Sequence, residues 1–267
     1  MASDPADELW CVVVAAGSGT RFGGAKQHAE LHGSTVLQRS LATARAVCDG
    51  VVVVVPAGAA EPGRPEGVGA LDVPEPIDGA DAVVVGGATR SASVANGLVA
   101  VPARASVVLV HDAARPLVTP ALFARVAEAV RSGADAAVPV VTVIDTIRDV
   151  GGGTVDRDRL RAVQTPQGFR ASVLRSVHSG PADATDDAAL VEAAGDAVVL
   201  VEGERANLKI TEPSDLHVAA TLLDLAGQAV VTDPAAGTVT DLAAGAGVGG
   251  GAAECDSAPG GGGDSVP

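Results

Sequence analysis

The sequence predicts an α/β fold with a mostly parallel central sheet, and three observations predict it. Short valine-rich runs (Val12 to Val14, Val51 to Val55, Ala82 to Val85, Ser106 to Val110) alternate with alanine-rich stretches of helical spacing. A run that is apolar at every position suits a strand covered on both faces, as in a parallel sheet. The chain holds three Phe, one Trp and no Tyr, so its interior must be filled with Val, Ala and Leu. At 267 residues it can bury a sizeable core, as one large domain or two small ones.

Taken in order, residues 1–8 are expected to be frayed and disordered, and Leu9 to Ala15 to form the first strand. That strand runs into Gly17-Ser18-Gly19-Thr20-Arg21-Phe22-Gly23-Gly24-Ala25-Lys26-Gln27, a glycine-rich loop with two cations. Glycines bring backbone N–H groups up to an anion with no Cβ in the way, so a polyphosphate could sit here. The third glycine of a dinucleotide fingerprint would fall on Phe22, and a Walker A loop needs Ser or Thr where Gln27 stands. Both common phosphate loops are therefore disfavoured. A plain strand-to-helix turn with a solvated Lys26 is the alternative.

Thr35 to Val47 is predicted helical and Val51 to Val55 a second buried strand; Pro56 to Gly79 is too rich in Gly and Pro for a regular element. Ala82 to Val85 reads as a third strand ending at Gly86-Gly87, followed by a helix from Ser91 to Val101. Ser106 to Val110 then delivers His111-Asp112-Ala113-Ala114-Arg115-Pro116 at the carboxyl end of a strand, where open α/β sheets gather ligands. Pro120 to Arg131 is a helix with Pro in its first turn, and Ala134 to Val140 returns to the sheet.

The βα rhythm breaks between Thr142 and Gln164. Two β-prone pieces, Val143 to Val150 and Val155 to Val163, flank Gly151-Gly152-Gly153 and predict a protruding hairpin arm that covers a site or reaches a partner subunit. Ala171 to Val177 and Asp186 to Ala194 are helical, Ala197 to Val201 is a strand, and Glu212 to Ala226 is a last helix with Thr211 as its N-cap. One domain over 9–227 follows. The remaining 228–267 turn to Gly, Ala, Asp and Ser, bury too little apolar area to offset their ordering entropy, and are expected to be disordered.

A formal charge of −15 argues against nucleic acid or an anionic membrane as partner. Of 18 basic residues only Lys26 and Lys209 are lysines, and each lies inside a motif. Cys11, Cys48 and Cys255 are odd in number and lack metal-like spacing, and the acidic start lacks the basic region of a signal peptide. No run is long enough to span a membrane. A cytoplasmic protein is expected.

Four stretches besides the loop carry polar chemistry. Gly86 to Ser93 could present amides and a hydroxyl to a base or ribose, or could be a capped turn. Asp112 could ligate Mg²⁺, or form an ion pair with Arg115. Asp145-Thr146 and Asp156-Arg157, with Thr165-Pro166-Gln167, belong to the arm region, whose plainer reading is a solvated hairpin; Lys209, in Asn207 to Thr211, could simply be exposed.

Together these stretches resemble the 2-C-methyl-D-erythritol 4-phosphate cytidylyltransferases of non-mevalonate isoprenoid biosynthesis. The resemblance runs from about Leu9 to Ala226 in family order: A-A-G-S-G-T-R, K-Q, G-G-x-x-R-x-x-S-V, H-D-A-A-R-P, D-T, V-D-R, Q-T-P-Q, T-D-D-A and N-L-K-I-T-x-P-x-D-L. It implies a Rossmann-like nucleotidyltransferase core of the glycosyltransferase-A type, a homodimer formed through the 142–164 arm, and Mg²⁺-dependent transfer of CMP from CTP to a polyol phosphate. Carried onto this chain, Arg21, Lys26, Arg157 and Lys209 would be catalytic. Ala15, Ala16, Gly17, Gly87 and Ser93 would surround the cytidine, and Asp112 would hold the metal. Asp112, Arg115, Thr146, Arg157, Thr165 and Lys209 would face the acceptor, with Thr146 and Arg157 reaching in from the other subunit. No general base is needed, because the attacking phosphate is already ionised, so His111 is read as a structural neighbour of Asp112. The chain departs from the family at Ala25, where Pro is usual, and at Ala88, where an acid is common. The related ribitol 5-phosphate cytidylyltransferases and a non-catalytic nucleotide-binding regulator are the alternatives; the Thr185-Asp186-Asp187-Ala188 run favours the methylerythritol enzyme.

Overall fold

The computed structural model describes residues 7–17, 19–57, 76–180, 184 and 186–230. The chain divides into a unit of 1–229, which holds the elements that follow, and a second of 230–267. The expected disorder of 1–6 and of the tail from 231 onward, and the irregular stretch 58–75, lie outside the described residues.

In chain order the elements are β1 (Glu8–Val14), β2 (Glu30–Leu31), β3 (Ser34–Thr35), α1 (Val36–Val47), β4 (Gly50–Val55), β5 (Ala82–Val85), α2 (Arg90–Ala100), β6 (Ala105–Asp112) and α3 (Pro120–Arg131). Then follow β7 (Ala136–Thr142), β8 (Ile147–Arg148), β9 (Thr154–Val155), β10 (Arg161–Val163), β11 (Gln167–Arg170), α4 (Ala171–Val177), α5 (Asp187–Ala194), β12 (Val198–Glu202) and α6 (Pro213–Val230). The main sheet runs β10-β7-β11-β6-β1-β4-β5, and β12 also pairs with β7. The β1/β4, β1/β6, β4/β5 and β7/β12 pairs are parallel. This is the predicted α/β class with a mostly parallel sheet.

Burial on both faces explains the unbroken valine runs. Leu9, Cys11, Val13, Val51, Val53, Val107 and Leu109 face one core with α1 and α3, whereas Trp10, Val12, Val52, Val54, Val108 and Val110 face another with α2, α4 and α5. Side chains alternate along a strand, so adjacent valines serve opposite cores. Helix starts are set by side-chain oxygens: Thr35 and Gln38 form a reciprocal capping box on α1, and Thr89, Thr119 and Asp186 cap α2, α3 and α5.

Helix α2 lies directly on the sheet because Gly97 lets it. A Cβ there would stand 2.6 Å from Val12 Cγ1 and 3.0 Å from Val54 Cγ2. Gly97→Val should therefore destabilise the protein by about 1–3 kcal/mol through overpacking, read as a lower urea midpoint; an unchanged midpoint would show that α2 can lift without cost.

Several expectations need correction. The first strand begins at Glu8, whose carboxylate accepts from Trp10 Nε1 at 2.9 Å, and ends at Val14. The loop after β1 contains a small β2/β3 hairpin that the glycine pattern hid. The predicted arm strand Val155 to Val163 divides: only Thr154–Val155 pairs with β8, and Arg161–Val163 rejoins the main sheet against β7. The antiparallel strand β11, inserted between β6 and β7, was not anticipated. Gln167-Gly168-Phe169-Arg170 has no β-branched residue, and its glycine is there for packing: a Cβ on Gly168 would lie 2.6 Å from Val126 Cγ1 of α3. Thr211 does not cap α6 with its hydroxyl, which donates to Lys209 O; instead Asp215 in the first turn reaches back to accept from the Thr211 and Glu212 amides at 2.6 and 2.9 Å. Helix α6 also continues past the expected end at 226.

Candidate active site

Parallel strands deliver their carboxyl ends to one edge, and here β1, β5 and β6 each open into the same cleft. Val14 to Gly17, Gly87 to Arg90 with Ser93, and Asp112 to Ala114 line it, closed by Lys26, Gln27 and Lys209, around a volume of about 360 Å³.

The glycine-rich loop folds on itself. Gly19 has φ +61°, and a Cβ there would lie 2.0 Å from Gly24 O, so no other residue fits. The amides of Phe22 and Gly23 donate to Gly19 O at 2.9 and 3.0 Å. The loop then enters a single 3₁₀ turn, Lys26–His28. Lys26 is half-buried and its Nζ donates to Ile210 O at 2.8 Å. Burial pushes its ammonium pKa down, the nearby charges of Lys209 and Arg21 act in the same direction, and Asp112 opposes them. Arg21 itself is exposed on the turn and does not line the cleft. Ser18 lies outside the described residues.

On the opposite wall, Gly86 has no room for a side chain because a Cβ would meet Ala16 Cβ at 2.6 Å. The Ser93 hydroxyl accepts from Gly87 N at 3.1 Å and donates to Thr89 O at 2.8 Å. Ser93 thus holds the turn that presents Gly87 and Ala88 to the cleft.

Asp112, the last residue of β6, stands between two cations. Lys209 Nζ is 2.6 Å from Oδ2 and Arg90 Nε is 3.6 Å from Oδ1. Burial alone would raise the Asp112 carboxyl, but Lys209, Arg90 and Arg115 outweigh it and hold the pKa at about 2. Its amide donates to Thr165 Oγ1 at 3.0 Å, and the same hydroxyl lies 3.1 Å from His111 Nδ1. His111 is fully buried against Phe123, and that burial lowers its pKa to about 4.

Both shifts contribute to the acid limb of stability. Both folded-state values lie below the usual ones, so each group stabilises the native state above its unfolded pKa and loses that contribution as pH falls. The His111 window runs from 6.5 down to about 4, and the Asp112 window from 3.8 down to about 2. His111→Gln should flatten the fall of the thermal midpoint between about pH 6.5 and 4; a slope equal to that of the parent would remove His111 as its cause.

Arg115 and Thr165 brace the site from behind. Arg115 Nη1 and Nη2 donate to Asn207 O and Val163 O at 2.8 and 3.2 Å, and Thr165 is buried. Asn207 Nδ2 donates to Thr165 O at 2.9 Å, which ties the Lys209 segment to the start of β11. Of the sequence-predicted residues, Ala15, Ala16, Gly17, Lys26, Gly87, Ser93, Asp112 and Lys209 share the cleft. Thr146 and Arg157 do not line it: they are exposed on the arm, where Arg157 Nη1 donates to Ile144 O at 2.6 Å. Sequence reasoning missed Arg90, whose only signal was its place in the G-G-x-x-R stretch. It also missed the buried Gln164, which binds Glu204 O and Asn207 O through Nε2. Among the described residues no group of three or more His, Cys, Asp or Glu side chains forms a metal cluster.

The model of a family described as "IspD: 2-C-methyl-D-erythritol 4-phosphate cytidylyltransferase" matches residues 9–225. A 2-C-methyl-D-erythritol 4-phosphate cytidylyltransferase of Nocardia farcinica is 43% identical over 222 residues, covering 80% of this chain and 93% of that protein. The bifunctional enzyme IspD/IspF of Nitratidesulfovibrio vulgaris is 42% identical over 248 residues, covering 87% of this chain; the match spans only 61% of that longer relative. The crystal structure of 2-C-methyl-D-erythritol 4-phosphate cytidylyltransferase from Thermus thermophilus superposes with a TM-score of 0.66 at 38% identity, covering 80% of this chain and 98% of that one.

Proposed function

The chain belongs to the 2-C-methyl-D-erythritol 4-phosphate cytidylyltransferase family, and we propose that it transfers CMP from CTP to 2-C-methyl-D-erythritol 4-phosphate, releasing pyrophosphate. The observation that carries this reading is the convergence of its only two lysines with Asp112 on one cleft at the strand ends. Two polyanions must meet for this reaction, and fixed cations in a partly dehydrated cleft oppose their repulsion.

The acceptor's phosphate oxygen attacks the α-phosphorus of CTP, a new P–O bond forms, and the bond to the bridging oxygen breaks with pyrophosphate leaving. A phosphate monoester is largely dianionic near neutrality, so no side chain has to remove a proton. Ala15, Ala16, Gly17 and Gly87 surround the cytidine with backbone groups, and Ser93 sets the turn. Lys26 and Arg21 hold the triphosphate, Arg21 by swinging in from its exposed turn. Lys209 leaves Asp112 for the phosphate of the acceptor.

The donor set fits Mg²⁺ rather than a fully caged metal. Mg²⁺ characteristically takes one or two carboxylates and completes its shell with phosphates and water, and Asp112 is a single ionised carboxylate on an open cleft. Bound there, Mg²⁺ would neutralise charge on the phosphoryl oxygens.

Arg115 and Thr165 act on the acceptor through the wall they brace, and Thr146 and Arg157 act from the arm of a second copy. Exposed Ile144 (63%) and Val150 (105%) on the arm support a homodimer formed there. The buried free thiols of Cys11 and Cys48 support a cytoplasmic setting. No helix among the described residues is long and apolar enough to cross a membrane.

Pyrophosphate release from CTP with each polyol phosphate, with Mg²⁺ and with chelator, tests the reading. Release with ribitol 5-phosphate alone would move the acceptor, and CTP binding without release would make the protein a regulator. Arg157→Ala should raise the KM for the polyol phosphate by about tenfold or more, the loss of one charged contact, with the KM for CTP unchanged; an unaltered acceptor KM would remove Arg157 from that site.

A further inference from the structure

Asp187 is a carboxylate with no exposed surface and no part in the chemistry above. It occupies the first position of α5, and its two oxygens are both engaged: Oδ2 accepts from Arg90 Nη1 at 2.6 Å, and Oδ1 is 3.0 Å from Nε2 of His178, whose side chain is 4% exposed. Arg90 occupies the first position of α2, where the helix dipole disfavours a cation. Burial further lowers its pKa, yet Asp187 and then Asp112 more than reverse the effect.

The distances around Arg90 are unequal in an informative way. Its contact with Asp187 is at full charge-assisted hydrogen-bond length, whereas Nε stops 3.6 Å from Asp112 Oδ1, about 0.8 Å beyond that length. A guanidinium beside a carboxylate ordinarily closes into a short, two-pronged pair. Here it is held off. A closed pair would occupy Asp112 oxygens with a cation that cannot deprotonate and does not leave when a metal and a triphosphate arrive.

We infer that Asp187, backed by His178, is a positioning residue that holds Arg90 away from Asp112, so that the Asp112 carboxylate stays open to a divalent ion once Lys209 departs. The inference rests on the reading of Asp112 as the metal-holding group. It assigns opposite roles to the two cations on that carboxylate: Lys209 is the mobile one and Arg90 the tethered one.

The test is Mn²⁺ binding, followed by electron paramagnetic resonance in the presence of CTP and without acceptor, on the folded 267-residue chain. Asp187→Asn removes the tether, and Mn²⁺ affinity should fall by about tenfold, the usual scale for losing such a supporting contact. Adding Arg90→Gln to that variant removes the competitor, and affinity should return to within about twofold of the parent. Unchanged affinity in D187N, or a double variant as weak as D187N, overturns the inference. A merely structural ion pair would change the thermal midpoint and leave affinity per folded molecule where it was. If D187N does not fold, a structure of the parent with Mg²⁺ and a non-hydrolysable CTP analogue decides. Arg90 should remain on Asp187 with Lys209 beyond hydrogen-bond distance of Asp112, whereas Arg90 closed onto Asp112 overturns the proposal. Pyrophosphate release by the parent is measured separately, so failure of the catalytic reading is distinguishable from failure of this one.

Discussion

Asp112→Asn should lower kcat/KM for pyrophosphate release by about a thousandfold, the scale of several kcal/mol of lost metal-assisted charge stabilisation. The substitution keeps shape and removes one charge. Its amide–Thr165 bond is made by the backbone and survives. What disappears is the anion between Lys209 and Arg90, and with it the group proposed above to hold a divalent ion. Raising Mg²⁺ should recover part of the loss, because phosphates and water still supply the remaining ligands. Steady-state kinetics against Mg²⁺ check this, and a variant within about tenfold of the parent would mean that Asp112 neither holds metal nor positions substrate.

Lys26→Ala should lower turnover by roughly a hundredfold or more, as when one preorganised donor to developing charge is removed. A structural contribution has to be separated, since Nζ also ties the loop to Ile210 O. Lys26→Met keeps much of the apolar stem without that donor. If charge is what matters, Met and Ala variants should lose kcat equally while their thermal midpoints differ. Near-native turnover in either would remove Lys26 from the mechanism. The partial burial that lowers its pKa would also strengthen its pull on the phosphoryl oxygen it is proposed to hold, because less water would stand between them.

The parallel half of the sheet was legible because its signal is local. Val51 to Val55 can hardly be anything but a doubly covered strand, and α2 and α3 each open on a side-chain cap visible in the sequence. The antiparallel insertion was not legible. Gly168 reads as a strand breaker until α3 is seen to press on it, and the return of Arg161–Val163 to β7 depends on a partner on the far side of the arm. At the site, Lys26, Asp112 and Lys209 stood out by chemistry and by motif. The Arg90–Asp187 tether joins residues 97 positions apart, and neither has a neighbour in sequence that announces the other. Thr165 was assigned to the acceptor. Its hydroxyl also holds the backbone of Asp112, a partner 53 residues away that no local pattern reveals.

The root of the arm runs without interruption into the wall behind the cleft. Strand β10 ends at Val163, and the next two side chains reach Glu204 O and Asn207 O through Gln164 and the Asp112 amide through Thr165. A shift of the arm's last strand would therefore act two peptide units from the hydroxyl that holds the Asp112 amide, with the hairpin tip farther out along the same arm. Were a second copy to grip that tip, specific activity would track enzyme concentration, fading on dilution and returning on concentration with no change in bound substrate.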